Sequence, residues 1–175
     1  MTKSQQLHEL RFGIGKSLRY HAKRRAFFEV LHRASMTFVA VGGSAAFASV
    51  LGNNTRIAAW SSLILTVLAA LDAAIGYAQR ARLHDELLKR FSDLSITIER
   101  ETNPTLQFIK ETKAQRLLIE KDEPSELAAL NIICHNEQLE SMGYEESDMR
   151  KVSPFQRFFA HFFTFPPNKF PYNKT

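Results

Sequence analysis

The stretch that decides the fold is residues 63–90, "LILTVLAALDAAIGYAQRARLHDELLKR". It runs apolar for nine residues, places one carboxylate at Asp72, continues apolar to Tyr77, and then turns abruptly charged. An acid in a water-soluble core and an acid inside a membrane span do different things. The first question is therefore which solvent this segment meets.

The average composition does not answer it, because a hydrophobic fraction of 45% in 175 residues is ordinary for one soluble domain. The distribution does. From Ala34 to Thr55 there are 22 residues without a charge, and after Arg56 there are 23 more, Ile57 to Gln79, in which Asp72 is the only one. At about 1.5 Å per residue each reaches roughly 33 Å as a helix, enough to cross a hydrocarbon core of about 30 Å. The competing reading is a helical hairpin buried in a soluble bundle. The remaining chain is charged and offers too few apolar helices to surround two that are apolar on every face. The first run also does not read as a cleaved signal peptide, since it begins more than thirty residues in, after a charged segment.

These patterns predict an all-α membrane protein. It has a basic N-terminal helix over 1–33, a transmembrane hairpin over 34–79 with spans at about 34–55 and 57–79, a helical cytoplasmic region over 80–150, and a Phe-rich amphipathic tail over 151–175. Basic residues set the orientation. Lys16, Arg19, Lys23, Arg24, Arg25 and Arg33 precede the first span, and Arg80, Arg82, Lys89 and Arg90 follow the second, whereas the "GNNTR" connection carries only Arg56. Both termini are expected in the cytoplasm, joined through a tight turn at "GNN". The net charge of +5 is mostly this flanking set. It is better explained by lipid headgroups than by nucleic acid.

The other segments read as helices. Apolar positions from Leu7 to Leu31 keep helical spacing, with a possible break at Gly13 and Gly15, and the second half is expected to run straight into the first span. Past the second span Leu83, Leu87, Leu88, Phe91, Leu94 and Ile98 continue a stripe until "TNP" stops it near Asn103. Leu106, Ile109, Lys113 and Leu117 mark one side of the next helix. "PSELAALNIICHNEQLESMG" gives another, with a capping arrangement around Ser125 and a C-terminal cap at Gly143. In the tail, Phe155, Phe158, Phe159, Phe162 and Phe163 fall on one face of a short helix after Pro154. That face would lie in the headgroup region or dock on protein, and "PPNKFPYNKT" beyond it would be extended.

Motifs for chemistry fail on inspection. "GIGKS" at 13–17 lacks the glycine that a phosphate-binding loop needs at position 10, which is Leu10, and has no preceding strand. His8, His21, His32, His135 and His161 lack ligand spacing, and the adjacent His84 and Asp85 point in different directions on a helix, so the histidines are expected at surfaces or interfaces. Cys134 is alone, and no serine or cysteine has a recognisable base. The chain reads as a non-enzyme with no cofactor, no metal site and no nucleic-acid partner.

The order of parts carries a resemblance. A basic helix "RYHAKRRAFFEVLHR" leads into two closely spaced spans, a long charged helix, a Pro break, and a helix ending "ELAALNIICHNEQLESMG" with small polar residues around Asn131 and Asn136. Over about residues 15–143 this resembles the SLATT group of bacterial two-transmembrane effectors. The resemblance implies a multi-pass protein of the bacterial inner membrane that oligomerises and permeabilises it in anti-phage, abortive-infection systems, triggered by a partner that makes or senses a nucleotide signal. The alternative is a non-pore membrane anchor or scaffold for a cytoplasmic partner.

Two spans alone cannot enclose an aqueous path, so a pore needs several copies. Gly42, Gly43, Ala46 and Ser49 are the candidates for close helix packing, within the hairpin or between copies. Asp72, with Thr66 and Ala69, is the candidate pore lining. Its carboxylate could instead stay protonated, or hydrogen-bond to Thr66 or Tyr77 of another copy.

Overall fold

The computed structural model describes residues 1–52, 54–166 and 169–173. Asn53 of the expected turn, and Pro167, Asn168, Lys174 and Thr175 of the expected extended end, lie outside the described residues. Among the described residues the fold is all-α and 78% helical. The helices are α1 (Lys3–Leu51), α2 (Thr55–Ile75), α3 (Tyr77–Arg100), α4 (Leu106–Glu120), α5 (Ala128–Ser141) and α6 (Pro154–Phe158), with a short 3-10 turn at Glu146–Asp148. Contacts divide the chain into two compact units, Met1–Arg24 with His84–Thr175, and Arg25–Leu83.

The first unit packs the start of α1 against α3 and α4. Leu10 and Ile14 meet Leu87, Phe91, Leu94, Ile98, Ile109 and Ile119 in one core. Along α3 the buried positions are 81, 84, 87, 91, 94 and 98, spacings of three and four. His84 occupies this seam, and Leu83 is exposed. In α4 the buried residues are Ile109, Thr112 and Ile119, while Leu106 and Leu117 face outward. Of the expected side only Ile109 is buried, and Lys113 faces outward with Leu106 and Leu117.

Gly13 and Gly15 do not break α1. The Arg116 guanidinium lies over Gly13 and the Gln138 amide over Gly15, in space that a Cβ would fill. Their smallness serves close crossing by two polar side chains, which is a packing reason for "GIGKS" and not a phosphate-binding one.

A second core joins Tyr20 to Ala129, Leu130, Cys134, Ala160 and Phe170. The expected cap at Ser125 is not used, because α5 begins three residues later, at Ala128. The amide of Leu127 instead donates to the Tyr20 hydroxyl at 3.0 Å. The other end matches expectation. Gly143 has φ 79°, and Gly143 N–H and Tyr144 N–H donate to the carbonyls of Glu140 and Leu139, which closes α5 in a Schellman motif.

In the second unit the end of α1 and α2 form a hairpin. The inward positions on α1 are Phe28, His32, Ser35, Val39, Gly42, Ala46 and Ser49, and those on α2 are Ala58, Ser61, Leu65, Leu68 and Asp72. Both runs step by four and three, the spacing of a two-helix seam. Asn54 caps α2 by accepting from Ile57 N–H.

Candidate functional site

The hairpin seam is built largely from small residues, so the two backbones approach closely. A Cβ added to Gly42 would stand 2.7 Å from Leu65 Cδ2, whereas the position beside it, Gly43, faces open space. Gly42, Ala46 and Ser49 therefore lie on the seam within one hairpin, and Gly43 sits outside it.

Asp72 also lies on this seam. Its Oδ2 is 3.4 Å from His32 Nδ1 across the hairpin. Thr66 and Ala69 are exposed on α2, whereas Asp72 is half-buried. Ala69, three residues before Asp72, is its neighbour on the helix surface, and Thr66 lies further round. The Thr66 hydroxyl donates to the Ser62 carbonyl at 2.8 Å, which leaves it engaged within its own helix. Thr37, Ser44, Ser49 and Ser62 bond back four residues in the same way, to Arg33, Ala40, Ala45 and Ala58.

One turn beyond Asp72 the helix breaks. Gly76 takes φ 68° and ψ 54°, a left-handed conformation that glycine adopts without Cβ strain. The backbone N–H of Gly76 still donates to the Asp72 carbonyl at 2.8 Å, and α3 starts at Tyr77. Arg80 Nε donates to the Ile75 carbonyl at 2.9 Å, while the Arg80 guanidinium stands over the Phe28 ring. The second apolar stretch does not run on as one regular helix, as its uninterrupted sequence pattern suggested, and the break falls where the charged region begins.

The first unit holds a polar chain that the sequence did not reveal. His21 and His84 are almost fully buried and join Nδ1 to Nδ1 at 2.9 Å, while His21 Nε2 lies 3.1 Å from Glu123 Oε1. The Phe91 ring stacks on His21. With His21 Nε2 donating to the carboxylate, the facing Nδ1 atoms need one ring to donate and the other to accept. The expectation of surface or interfacial histidines fails for these two. A histidine on a helical seam reads as an interruption when the sequence is scanned for apolar residues alone. Among the described residues no group of three or more His, Cys, Asp or Glu is placed to hold a metal ion.

The tail forms only a short helix. Ser153 and Gln156 make a capping box, Pro154 opens α6, and the helix ends at Phe158. Phe159 thus lies beyond it in a turn over 159–162, Phe163 follows that turn, and rings 155, 159 and 163 still touch in sequence at 4.7 and 5.6 Å between centroids. Below them Ala160 and Phe170 are buried, and Arg24 Nη1 donates to the His161 carbonyl at 2.8 Å. Burial, with Arg24 and Lys23 nearby, lowers the His161 pKa to about 4. Asn136 clamps the start of the tail, donating to the Arg150 carbonyl at 2.6 Å and accepting from its N–H at 3.0 Å. No family model, no curated protein and no solved structure matches the chain.

Proposed function

We propose that this chain is a two-span protein of the bacterial inner membrane, with both termini in the cytoplasm, whose copies assemble and permeabilise the bilayer. In this reading it is an effector without an active site or cofactor, restrained until a partner that makes or senses a nucleotide signal releases it during phage infection.

One observation carries the membrane placement. The most apolar 18-residue windows of the two long helices are only 11% and 6% buried. Phe38, Val41, Phe47, Trp60, Leu63, Ile64 and Val67 all stand exposed around the hairpin. Soluble monomers rarely expose a contiguous apolar surface beyond a few hundred Å². Hydroxyls that bond back to their own helix suit a solvent that offers no partners.

Asp72 does not argue against insertion. The eight Leu, Ile and Val residues of α2 favour insertion by about 2–5 kcal/mol together, against a cost of about 2.5–3.5 for an aspartate at the bilayer centre. Asp72 lies seven residues, roughly 10 Å, past the middle of α2, where the penalty is smaller, and His32 faces it.

Assembly is supported by the small exposed residues Ala69 and Ala73, and by half-buried Gly43, where an added Cβ would meet open space; these would let a neighbouring helix approach. Permeabilisation, the phage setting and the nucleotide signal come from the SLATT resemblance. The anchor reading is favoured by a different observation: Asp72 is paired inside its own hairpin and is not presented outward. Purified protein in dye-loaded liposomes separates the two readings. Leakage that rises steeply with protein-to-lipid ratio is expected of an assembling pore. Membrane-inserted protein that releases no dye, with the partner and its signal present, would overturn permeabilisation and leave the anchor.

A further inference from the structure

The exposed phenylalanines of the tail need an explanation that the hairpin does not give. Phe155, Phe158, Phe162 and Phe163 are 65, 73, 55 and 58% exposed. They are not a loose end. The capping box fixes the start of α6, Gln156 and Ala160 are buried beneath, Phe170 plugs the core, and the rings touch one another. The fold thus holds an apolar face outward on a fixed base, at an apolar exposure that water disfavours.

Charge indicates the occupant. From Lys151 to Thr175 the chain has four basic residues, Lys151, Arg157, Lys169 and Lys174, and no Asp or Glu. Arg157 lies between Phe155 and Phe158 and is itself exposed. Aromatic rings together with cations and no acids match the boundary of a bilayer, where rings enter the acyl edge and cations meet anionic headgroups. A protein-docking face would have no need to exclude acids. The tail is also bonded through the His161 carbonyl to Arg24.

We infer that the face of Phe155, Phe158, Phe162 and Phe163, with Arg157, Lys151 and Lys169, is an interfacial anchor that lies on the anionic surface of the bilayer. This rests on the membrane reading of the hairpin, and the test separates the two.

The chain has one tryptophan, Trp60, on α2. The full-length protein is placed in nanodiscs of phosphatidylglycerol and phosphatidylcholine whose acyl chains carry bromine. Wild-type emission reports the hairpin, and a Trp60→Phe/Phe158→Trp variant reports the tail. Both should lose emission by about twofold or more relative to unbrominated lipid, as expected of rings at the acyl boundary. The tail signal should weaken when phosphatidylglycerol is omitted or salt is raised.

Quenched Trp60 with an unquenched tail tryptophan overturns the anchor alone. A tail tryptophan that is blue-shifted but unquenched overturns it in favour of a second copy covering the face. Tail quenching that ignores lipid charge and salt overturns the role of the cations. An unquenched Trp60 overturns the membrane reading and the anchor with it.

Discussion

Asp72 on α2 faces His32 on α1, with carboxylate Oδ2 3.4 Å from imidazole Nδ1 across the hairpin seam. The one acid in the second apolar stretch therefore has an imidazole of its own chain opposite it, which pairs with it as an ion only when protonated. If copies enclose an aqueous path, His32 sets how much of the Asp72 charge that path meets. His32→Ala should shift leakage toward cations, and Asp72→Asn should remove that shift in the double variant. Reversal potentials across a planar bilayer with a salt gradient check this. Selectivity indifferent to both changes would mean that the two residues only pack the hairpin seam.

Gly42 and Gly43 are neighbours with opposite surroundings. A side chain at 42 runs into Leu65, while 43 opens on empty space. Gly42→Leu should loosen the hairpin by about 1–3 kcal/mol through overpacking. Gly43→Leu should leave the hairpin melt unchanged and reduce association between copies. Thermal melts in mild detergent and cross-linking yields measure the two effects separately. Equal melting losses in both variants would contradict the seam.

Much of this architecture can be read from the sequence, and the misreadings share a cause. Charge-free length marks both apolar helices, and glycine at 143 marks the end of α5, because hydropathy and backbone freedom act locally. What fails is polar residues on buried seams. His21, His84 and Thr112 sit where leucines would be expected, and Ser125 looks like a cap whose work Tyr20 does from another helix. Such partners are distant in sequence, as are His32 and Asp72, so no spacing rule brings them together. The αL break at Gly76 is likewise hidden in an uninterrupted apolar pattern.

Acid should destabilise the first unit through His161. Burial holds its folded pKa near 4, below the ordinary value of 6.5. Between those two values the unfolded chain binds the proton more readily than the folded one, so stability rises with pH. The contribution is complete above about 6.5, is lost as pH falls toward about 4, and is then constant. Because the ring is only partly buried, the loss should be on the order of 1 kcal/mol, less than the full shift converts to. His135 is lowered in the same direction by burial. Melting temperature from pH 7.5 to 4.5 should fall in wild type and fall less in His161→Phe. Identical slopes would remove His161 from the account.

Cys134 should be inert. Its side chain is fully buried, and burial pushes the thiol pKa up to about 12. The nucleophilic form is then nearly absent at neutral pH. Maleimide should label the folded protein only slowly and label it readily in denaturant. Rapid labelling of the native state would show that the second core opens often.

Asn136 gives the sharpest test of how the tail is held. Its amide both donates to and accepts from the backbone of Arg150, and nearby Lys151 N–H donates to the Pro171 carbonyl at 2.8 Å while Asn173 N–H donates to the Met149 carbonyl at 2.9 Å. The side chain thus serves as one strand of a small extended patch that ties residues 149–151 to 171–173. Asn136→Asp keeps the acceptor but replaces the donor with an oxygen facing a carbonyl. Leaving that group unpaired should cost about 1–3 kcal/mol. Asn136→Ala loses both bonds but adds no repulsion, so it should cost less than the aspartate. Limited proteolysis reads the result, because cleavage after Lys151, Arg157 or Lys169 requires the tail to lift from Ala160 and Phe170. Cleavage should quicken in the order wild type, Asn136→Ala, Asn136→Asp, with the apolar hairpin uncut in all three. If both variants resist protease as the wild type does, the buried aromatic plug holds the tail by itself and the amide clamp is dispensable.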